Sequence, residues 1–193
     1  MRRVILSNLV SLDGFMSGPN GEIDWFTGIA DNEFESYAVD LIGSIDTMLF
    51  GRVTYELMAS YWPSAKPETD DPRIIDAMND TRKVVFSKTL DKVTWKNSRL
   101  VRGDAAEETA KLKQQPGGDM VIYGSGEIVS ALAKRGLIDD YRIFVAPIVL
   151  GRGKPLFNGL ESSFRLKLLE TRPFRSGLVA LRYVRDGAGG TLQ

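Results

Sequence analysis

Met120-Val121-Ile122-Tyr123-Gly124-Ser125-Gly126-Glu127 decides the reading of this chain: an apolar run stops at a glycine turn and a helical pattern follows. Backbone N–H groups at a helix start carry positive partial charge and point outward, so such a junction can hold a phosphate without a basic side chain. A lone Gly-x-Gly proves nothing. Two upstream stretches repeat the arrangement, Thr47-Met48-Leu49-Phe50 into Gly51-Arg52-Val53-Thr54, and Val84-Val85-Phe86 into Ser87-Lys88. Three strand ends in this order describe a dinucleotide laid across the edge of a sheet.

Around these junctions strands and helices alternate. Residues 2–12 read as a strand ending at Asp13-Gly14, and a Gly/Pro-rich loop runs on through Gly18-Pro19-Asn20-Gly21 to Asp24-Trp25-Phe26. From Asp31 a helix is expected, because Phe34, Tyr37, Ala38, Leu41, Ile42 and Ile45 recur at helical spacing. A strand over 46–50, a helix over 52–60, a polar loop, a short helix over 72–80 and strands over 83–87 and 98–102 follow. The pattern then gives a helix over 104–115, a strand over 119–123 and a helix over 126–135, stopped by Lys134-Arg135-Gly136. Strands over 140–148, 164–172 and 177–185 close the chain. The expected fold is a three-layer α/β arrangement, a mostly parallel mixed sheet with helices on both faces and antiparallel C-terminal strands. One domain is expected over residues 1–185, with 186–193 as a disordered tail.

Composition narrows the chemistry. The 193 residues include 25 Lys plus Arg against 25 Asp plus Glu, so no global field favours nucleic acid or an anionic membrane. No apolar stretch approaches membrane-spanning length. Ser7 and Asn8 interrupt the apolar start and no small-residue cleavage site follows, which points to a cytoplasmic protein. The absence of cysteine excludes disulfides and thiolate catalysis. The absence of histidine excludes a Ser-His-Asp triad, an imidazole acid or base and an ordinary zinc site. Any proton must travel by carboxyl, Tyr, Lys or water.

Gly51-Arg52-x-Thr54, Val84-Val85-Phe86-Ser87-Lys88 and Val121-Ile122-Tyr123-Gly124-Ser125-Gly126 resemble the cofactor motifs of dihydrofolate reductases. Ser11-Leu12-Asp13-Gly14, Leu137-Ile138-Asp139-Asp140 and Pro147-x-x-Leu150-Gly151-x-Gly153-x-Pro155-Leu156-Phe157 resemble a sister group, the reductase domain of the riboflavin-pathway protein RibD. The resemblance spans residues 2–185 and implies an NADPH-dependent reductase acting on a pterin- or pyrimidine-type heterocycle. The nearest activity is 5-amino-6-(5-phosphoribosylamino)uracil reduction. The alternatives are a true dihydrofolate reductase and a non-catalytic NADPH-binding sensor. A homodimer joined through the C-terminal strands is also implied.

The resemblance assigns roles residue by residue. Gly51, Arg52 and Thr54 open a helix over the cofactor pyrophosphate, and Gly124, Ser125, Gly126 and Glu127 wrap its other side. Ser87 and Lys88 fall where the family grips the adenosine 2′-phosphate, with Lys88 replacing an Arg and losing bidentate geometry. The family often has a cis Gly–Gly bond at the Gly124 turn; Ser125 stands second here, and a non-proline cis bond costs ~3 kcal/mol. Glu35, on the border of the first helix's apolar stripe, is the counterpart of the folate-holding acid, while Glu33 and Asp40 fall on the far face. Asp13 is the rival as a substrate or proton-relay group. Trp25 and Phe26, on the loop acting as a lid, are placed to stack on the bound ring. Gly151-Arg152-Gly153-Lys154 reads as a solvated turn.

Overall fold

The computed structural model describes residues 1–29, 31–124 and 126–187. Its elements run β1 (Val4–Ser11), β2 (Phe15–Ser17), α1 (Asn32–Gly43), β3 (Ile45–Gly51), α2 (Arg52–Tyr61) and α3 (Pro72–Asp80). They continue with β4 (Arg82–Phe86), β5 (Ser98–Val101), α4 (Ala105–Lys113), β6 (Asp119–Tyr123), α5 (Gly126–Lys134) and β7 (Asp140–Ala146). β8 (Lys154–Pro155), β9 (Leu166–Pro173) and β10 (Val179–Arg185) complete the series. Eight strands form one sheet in the order β5-β4-β3-β6-β1-β7-β10-β9, and β2 pairs with β8 apart from it.

The six strands from β5 to β7 are parallel and β10 runs antiparallel to both β7 and β9. The expected three-layer mixed fold is therefore the observed one. Alternate residues of the buried strands feed two different layers. Val4, Leu6, Met120 and Ile122 pack under Leu112 of α4 and Ile128, Val129 and Leu132 of α5. Ile5, Met48, Phe50 and Val121 pack under Leu41 and Ile42 of α1, Tyr55 of α2 and Met78 of α3. A third cluster gathers Phe144, Phe174, Leu178 and Ala180 beneath Phe34 and Tyr37 of α1. Phe34 and Tyr37 each meet Phe144 edge-on, at 5.1 and 5.4 Å.

Helix starts follow short acidic caps. Asp31, Asp71 and Asp104 accept backbone N–H bonds at the starts of α1, α3 and α4. Asp31 does a second task, because its other oxygen accepts the Ser176 N–H at 3.0 Å and pins α1 to the β9–β10 hairpin. The strand expected over 2–12 ends at Ser11, where the Gly14 N–H closes a turn onto the Ser11 carbonyl at 2.9 Å. The β2–β8 pair was not expected: elements of three and two residues show no periodicity to read. The tail expected over 186–193 lies, from residue 188, outside the described residues. Among the described residues no helix is long and apolar enough to cross a membrane.

Lys83 is an unusual part of this frame. It is 1% exposed, its ammonium donates to the carbonyls of Asn79, Thr81 and Lys96, and it lies 4.3 Å over the Trp95 ring. Burial pushes its pKa from 10.5 down to about 8, with the Asp80 charge pulling the other way. Between those values the unfolded chain binds the proton and the folded chain does not, so stability rises with pH across that window. Urea midpoints taken from pH 8 to 10 should climb for the native chain, and the climb should be absent in Lys83→Met.

Candidate functional site

Parallel pairing puts the C-terminal ends of β3, β4, β6, β1 and β7 on one edge of the sheet, where the strand order departs from chain order between β3, β6 and β1. In open α/β sheets such an edge is where ligands bind. Gly51 ends β3 in extended backbone (φ −84°, ψ 169°) and α2 begins at once. Unlike α1, α3 and α4, α2 has no side-chain cap, and unlike α1 and α4 it has no acid in its first turn. Its outward N–H groups are thus left to solvent or to an anion.

Facing this helix start is the turn after β6. Gly124 takes φ +63°, and a Cβ there would sit 2.8 Å from the Thr54 hydroxyl and 3.0 Å from its methyl. The Gly124 N–H donates to Asn8 Oδ1 on β1 at 3.1 Å, which fixes the turn against the neighbouring strand. On the other side, a Cβ on Gly126 would lie 3.2 and 3.4 Å from the Pro155 and Leu156 carbonyls. The structure therefore brings Gly51, Thr54, Gly124 and Gly126 into one narrow backbone cradle. Ser125, and with it the Gly124–Ser125 bond expected to be of interest, lies outside the described residues. Glu127 is exposed in the first turn of α5.

The third junction lies along the same edge, because Phe86 pairs with Gly51. The Ser87 hydroxyl accepts from the N–H groups of Thr89 (3.2 Å) and Leu90 (2.9 Å), shaping the loop after β4, and Lys88 is exposed on it. Between this loop and α2 opens a cleft of about 650 Å³ lined by Arg52, Glu56, Thr89, Leu90, Asp91 and Lys92. Arg52 pairs with Glu56 at 2.9 Å, which turns its guanidinium along α2. Tyr55 holds the far wall, its hydroxyl accepting from Thr94 and Trp95 N–H groups at 3.0 Å each. Sequence reading missed Arg102, which donates to the Lys88 and Asp91 carbonyls at 3.3 and 3.1 Å. Its place just after β5, beside the Lys88 loop, was the available signal.

Asp13 and Glu35 occupy different situations. The Asp13 carboxylate accepts from the Ser11 hydroxyl (2.7 Å) and from the N–H groups of Leu150 (3.1 Å) and Gly151 (2.7 Å). The Ser11 bond foremost, then the two backbone bonds, hold it below its ordinary pKa, so it stays ionised. It clamps the turn after β7 to the end of β1, close to where Phe15 pairs with Pro155. The basic stretch Gly151–Lys154 is accordingly an ordered turn, with Gly151 at φ +73°. Glu35 is exposed on α1, whereas Glu33, expected on the far face, is half-buried. Helical arithmetic places both about 100° from the stripe centre, and side-chain crowding decides between them. Trp25 and Phe26 meet edge-on at 5.6 Å, and Trp25 packs with Leu9, Ile29, Phe34 and Ile148 over the end of β7. Its indole N–H is buried without a partner among the described residues.

Comparison with known proteins places this geometry. The RibD C-terminal domain family model matches residues 2–180. The uncharacterized protein YyaP of Bacillus subtilis (strain 168) is 35% identical over 186 residues, covering 96% of each chain. A putative riboflavin biosynthesis protein from Shewanella sp. PV-4 superposes with a TM-score of 0.78 at 26% identity, over 96% of this chain and 99% of its own. The dihydrofolate reductase of Enterococcus faecalis, solved with NADP(H), superposes at 0.64 with 15% identity, over 95% and 96% of the two chains, and shares the fold. The chain belongs to the RibD C-terminal domain family and has the dihydrofolate reductase-like fold.

The Gly124 cradle makes a quantitative test. Gly124→Ala should lose about 1–2 kcal/mol to the left-handed backbone alone, plus the clash with Thr54. Thr54→Ala leaves only a Cβ, whose ordinary 3.5 Å contact removes the clash. Urea unfolding of the two single variants and the double variant should therefore give a non-additive cycle, the double variant being less damaged than the sum.

Proposed function

We propose that this member of the RibD C-terminal domain family is an NADPH-dependent reductase of a pyrimidine- or pterin-type heterocycle. The observation that carries the reading is the uncapped start of α2 facing the Gly124 turn, a cradle that a side chain at Gly124 would fill. The outward N–H groups of such a helix start fit a pyrophosphate, and the glycine turn opposite leaves room for it. When bound, the nicotinamide cofactor supplies a hydride. Gly51, Thr54, Gly124, Ser125 and Gly126 would hold its pyrophosphate, with Glu127 at the outer edge of the turn. Arg52, which lines the 650 Å³ cleft, and Ser87 and Lys88 on the loop leading into it would meet the adenosine end. Ser87 accepts from the Thr89 and Leu90 N–H groups and lies 3.5 Å from the Thr89 hydroxyl, so a phosphate oxygen would compete for its O–H only with that long contact.

The residues at the nicotinamide end bind, orient and exclude water. Trp25 and Phe26 cover the ring, and Asp13 positions the turn at Leu150 and Gly151 that closes the same side. Being held ionised, Asp13 is a poor proton donor near neutral pH, and Glu35 is a solvent-exposed carboxyl on α1. A proton delivered through ordered water suits both facts and supports a pyrimidine reductase over a true dihydrofolate reductase. The match to a riboflavin biosynthesis protein supports a ribosylaminopyrimidine substrate. A cytoplasmic enzyme of one domain over residues 1–185 completes the proposal.

A homodimer is part of the same reading. β9 is an edge strand exposed along nearly its whole length, with Leu168 and Leu169 at 49% and 37% exposure. Long apolar edges are protected in folded proteins by pairing or cover. Light scattering should return twice the chain mass, and Leu168→Lys should shift it toward the monomer.

Tryptophan fluorescence titrated with NADPH and NADH in parallel tests the cofactor assignment. NADPH should bind the more tightly, and Lys88→Ala should weaken it about tenfold, the scale of one charge-assisted hydrogen bond, while leaving NADH unchanged. Failure of both nucleotides to bind would refute the reading.

A further inference from the structure

The face of the sheet beneath α1 and α2 is interrupted by a row of polar side chains. Ser7 on β1 pairs in register with Tyr123 on β6 and with Arg142 on β7, and Arg142 pairs with Arg182 on β10. Paired residues share a face and adjacent strands are about 4.8 Å apart, so the four side chains stand shoulder to shoulder. One register step below lie Val121 and Ile5, in the cluster under α1, α2 and α3. One step above lie Leu9, Phe144 and Ala180, in the cluster under the start of α1. The polar row is thus the seam along which the core of this layer divides.

Such a seam is costly unless something uses it. Ser7 is 7% exposed in mid-strand at the centre of the sheet, and Tyr123 is half-buried directly before the Gly124 cradle. Neither hydroxyl has a protein partner among the described residues. Burial raises the Tyr123 pKa and the Arg142 charge acts against that rise, so the phenol stays protonated as a donor close to the guanidinium. Arg142 is bonded to Asp140 through one long contact of 3.3 Å, and its Nε is buried without a partner among the described residues. Asp140 is already engaged by Arg182, at 3.2 and 3.0 Å, so one buried carboxylate serves two guanidiniums. Glu170 stands in register with Arg182 on the outer strand but is exposed, and no ion pair joins the two among the described residues. Asp119 is committed to Arg3. The charge left over in the seam is that of Arg142.

We infer that Ser7, Tyr123 and Arg142 form the floor of the substrate crevice and select a ring bearing negative charge, on the ring itself or on an attached acid group. The inference rests on the reductase reading, since the crevice adjoins the proposed nicotinamide site. Arg142 is the specificity-determining residue: buried guanidinium donors demand an acceptor, and an anion satisfies both donor and charge. Ser7 and Tyr123 supply neutral O–H donors beside it, which orient the ring without changing the charge requirement.

The test uses the full chain saturated with NADPH, titrated with orotate and with uracil, which share a pyrimidine ring and differ in a carboxylate. Orotate should bind at least tenfold more tightly than uracil. Arg142→Met should abolish that preference with NADPH affinity unchanged, and Arg142→Lys should keep most of it, which separates loss of charge from loss of fold. Equal affinity for the two rings, no binding of either, or a preference that survives Arg142→Met would each overturn the inference. If NADPH itself fails to bind, the reductase reading falls and the inference with it.

Discussion

Everything at the ligand edge depends on how closely two backbones approach. The turn at Gly124 lies against Thr54 with no room for a side chain, and the same turn is tied to the central strand through Asn8. That contact exists only because β6 is inserted between β1 and β3, so that the start of α2 and the turn after β6 face each other. Move β6 by one strand and the two helix starts no longer face each other. The glycine meets a topological demand, and its positive φ is the local form of that demand.

Around this contact the molecule separates rigid from adjustable parts. The Gly51 and Gly124 side is built from strand ends and helix starts, whose positions follow from the sheet. The side at Asp13 and Trp25 is built from loops, and these are tied down by single carboxylates. Asp13 joins the end of β1 to the turn at Leu150 and Gly151, and Asp31 joins α1 to the C-terminal hairpin. Gly153 allows the first of these closures, since a Cβ there would lie 2.2 Å from the Ser17 carbonyl. The cradle at Gly124 is therefore held by the fold itself, while the loop side rests on a few polar contacts that substitution can retune.

Much of this was legible in the sequence, for identifiable reasons. The buried parallel strands read as continuous apolar runs, and Gly51, Gly124 and Gly136 punctuated them at the right places. The three junctions after β3, β4 and β6 could be placed because each is a local strand-to-turn signal. What stayed hidden is non-local. The β2–β8 pair, the Asp13 clamp and the Ser7–Tyr123–Arg142 row each depend on registers between residues more than a hundred positions apart. Glu35 marks a different limit. Helical spacing resolves a face to about a quarter turn, and Glu33 and Glu35 flank the same stripe, so counting could not say which of them solvent would take.

The central position of β1 has a consequence for how the chain is made. β1 is synthesised well before its two neighbours, which lie far downstream: Arg3 meets Asp119 at a separation of 116 residues, and Val4 meets Asp139 at 135. β3, β4 and β5 can pair with one another in the meantime, because they follow in order. The apolar run Val4-Ile5-Leu6 must wait, unpaired, for most of synthesis. An apolar run without its strand partners is the kind of segment that invites aggregation, and the arginines at positions 2 and 3 stand before it as charged gatekeepers ahead of their pairing with Asp46 and Asp119.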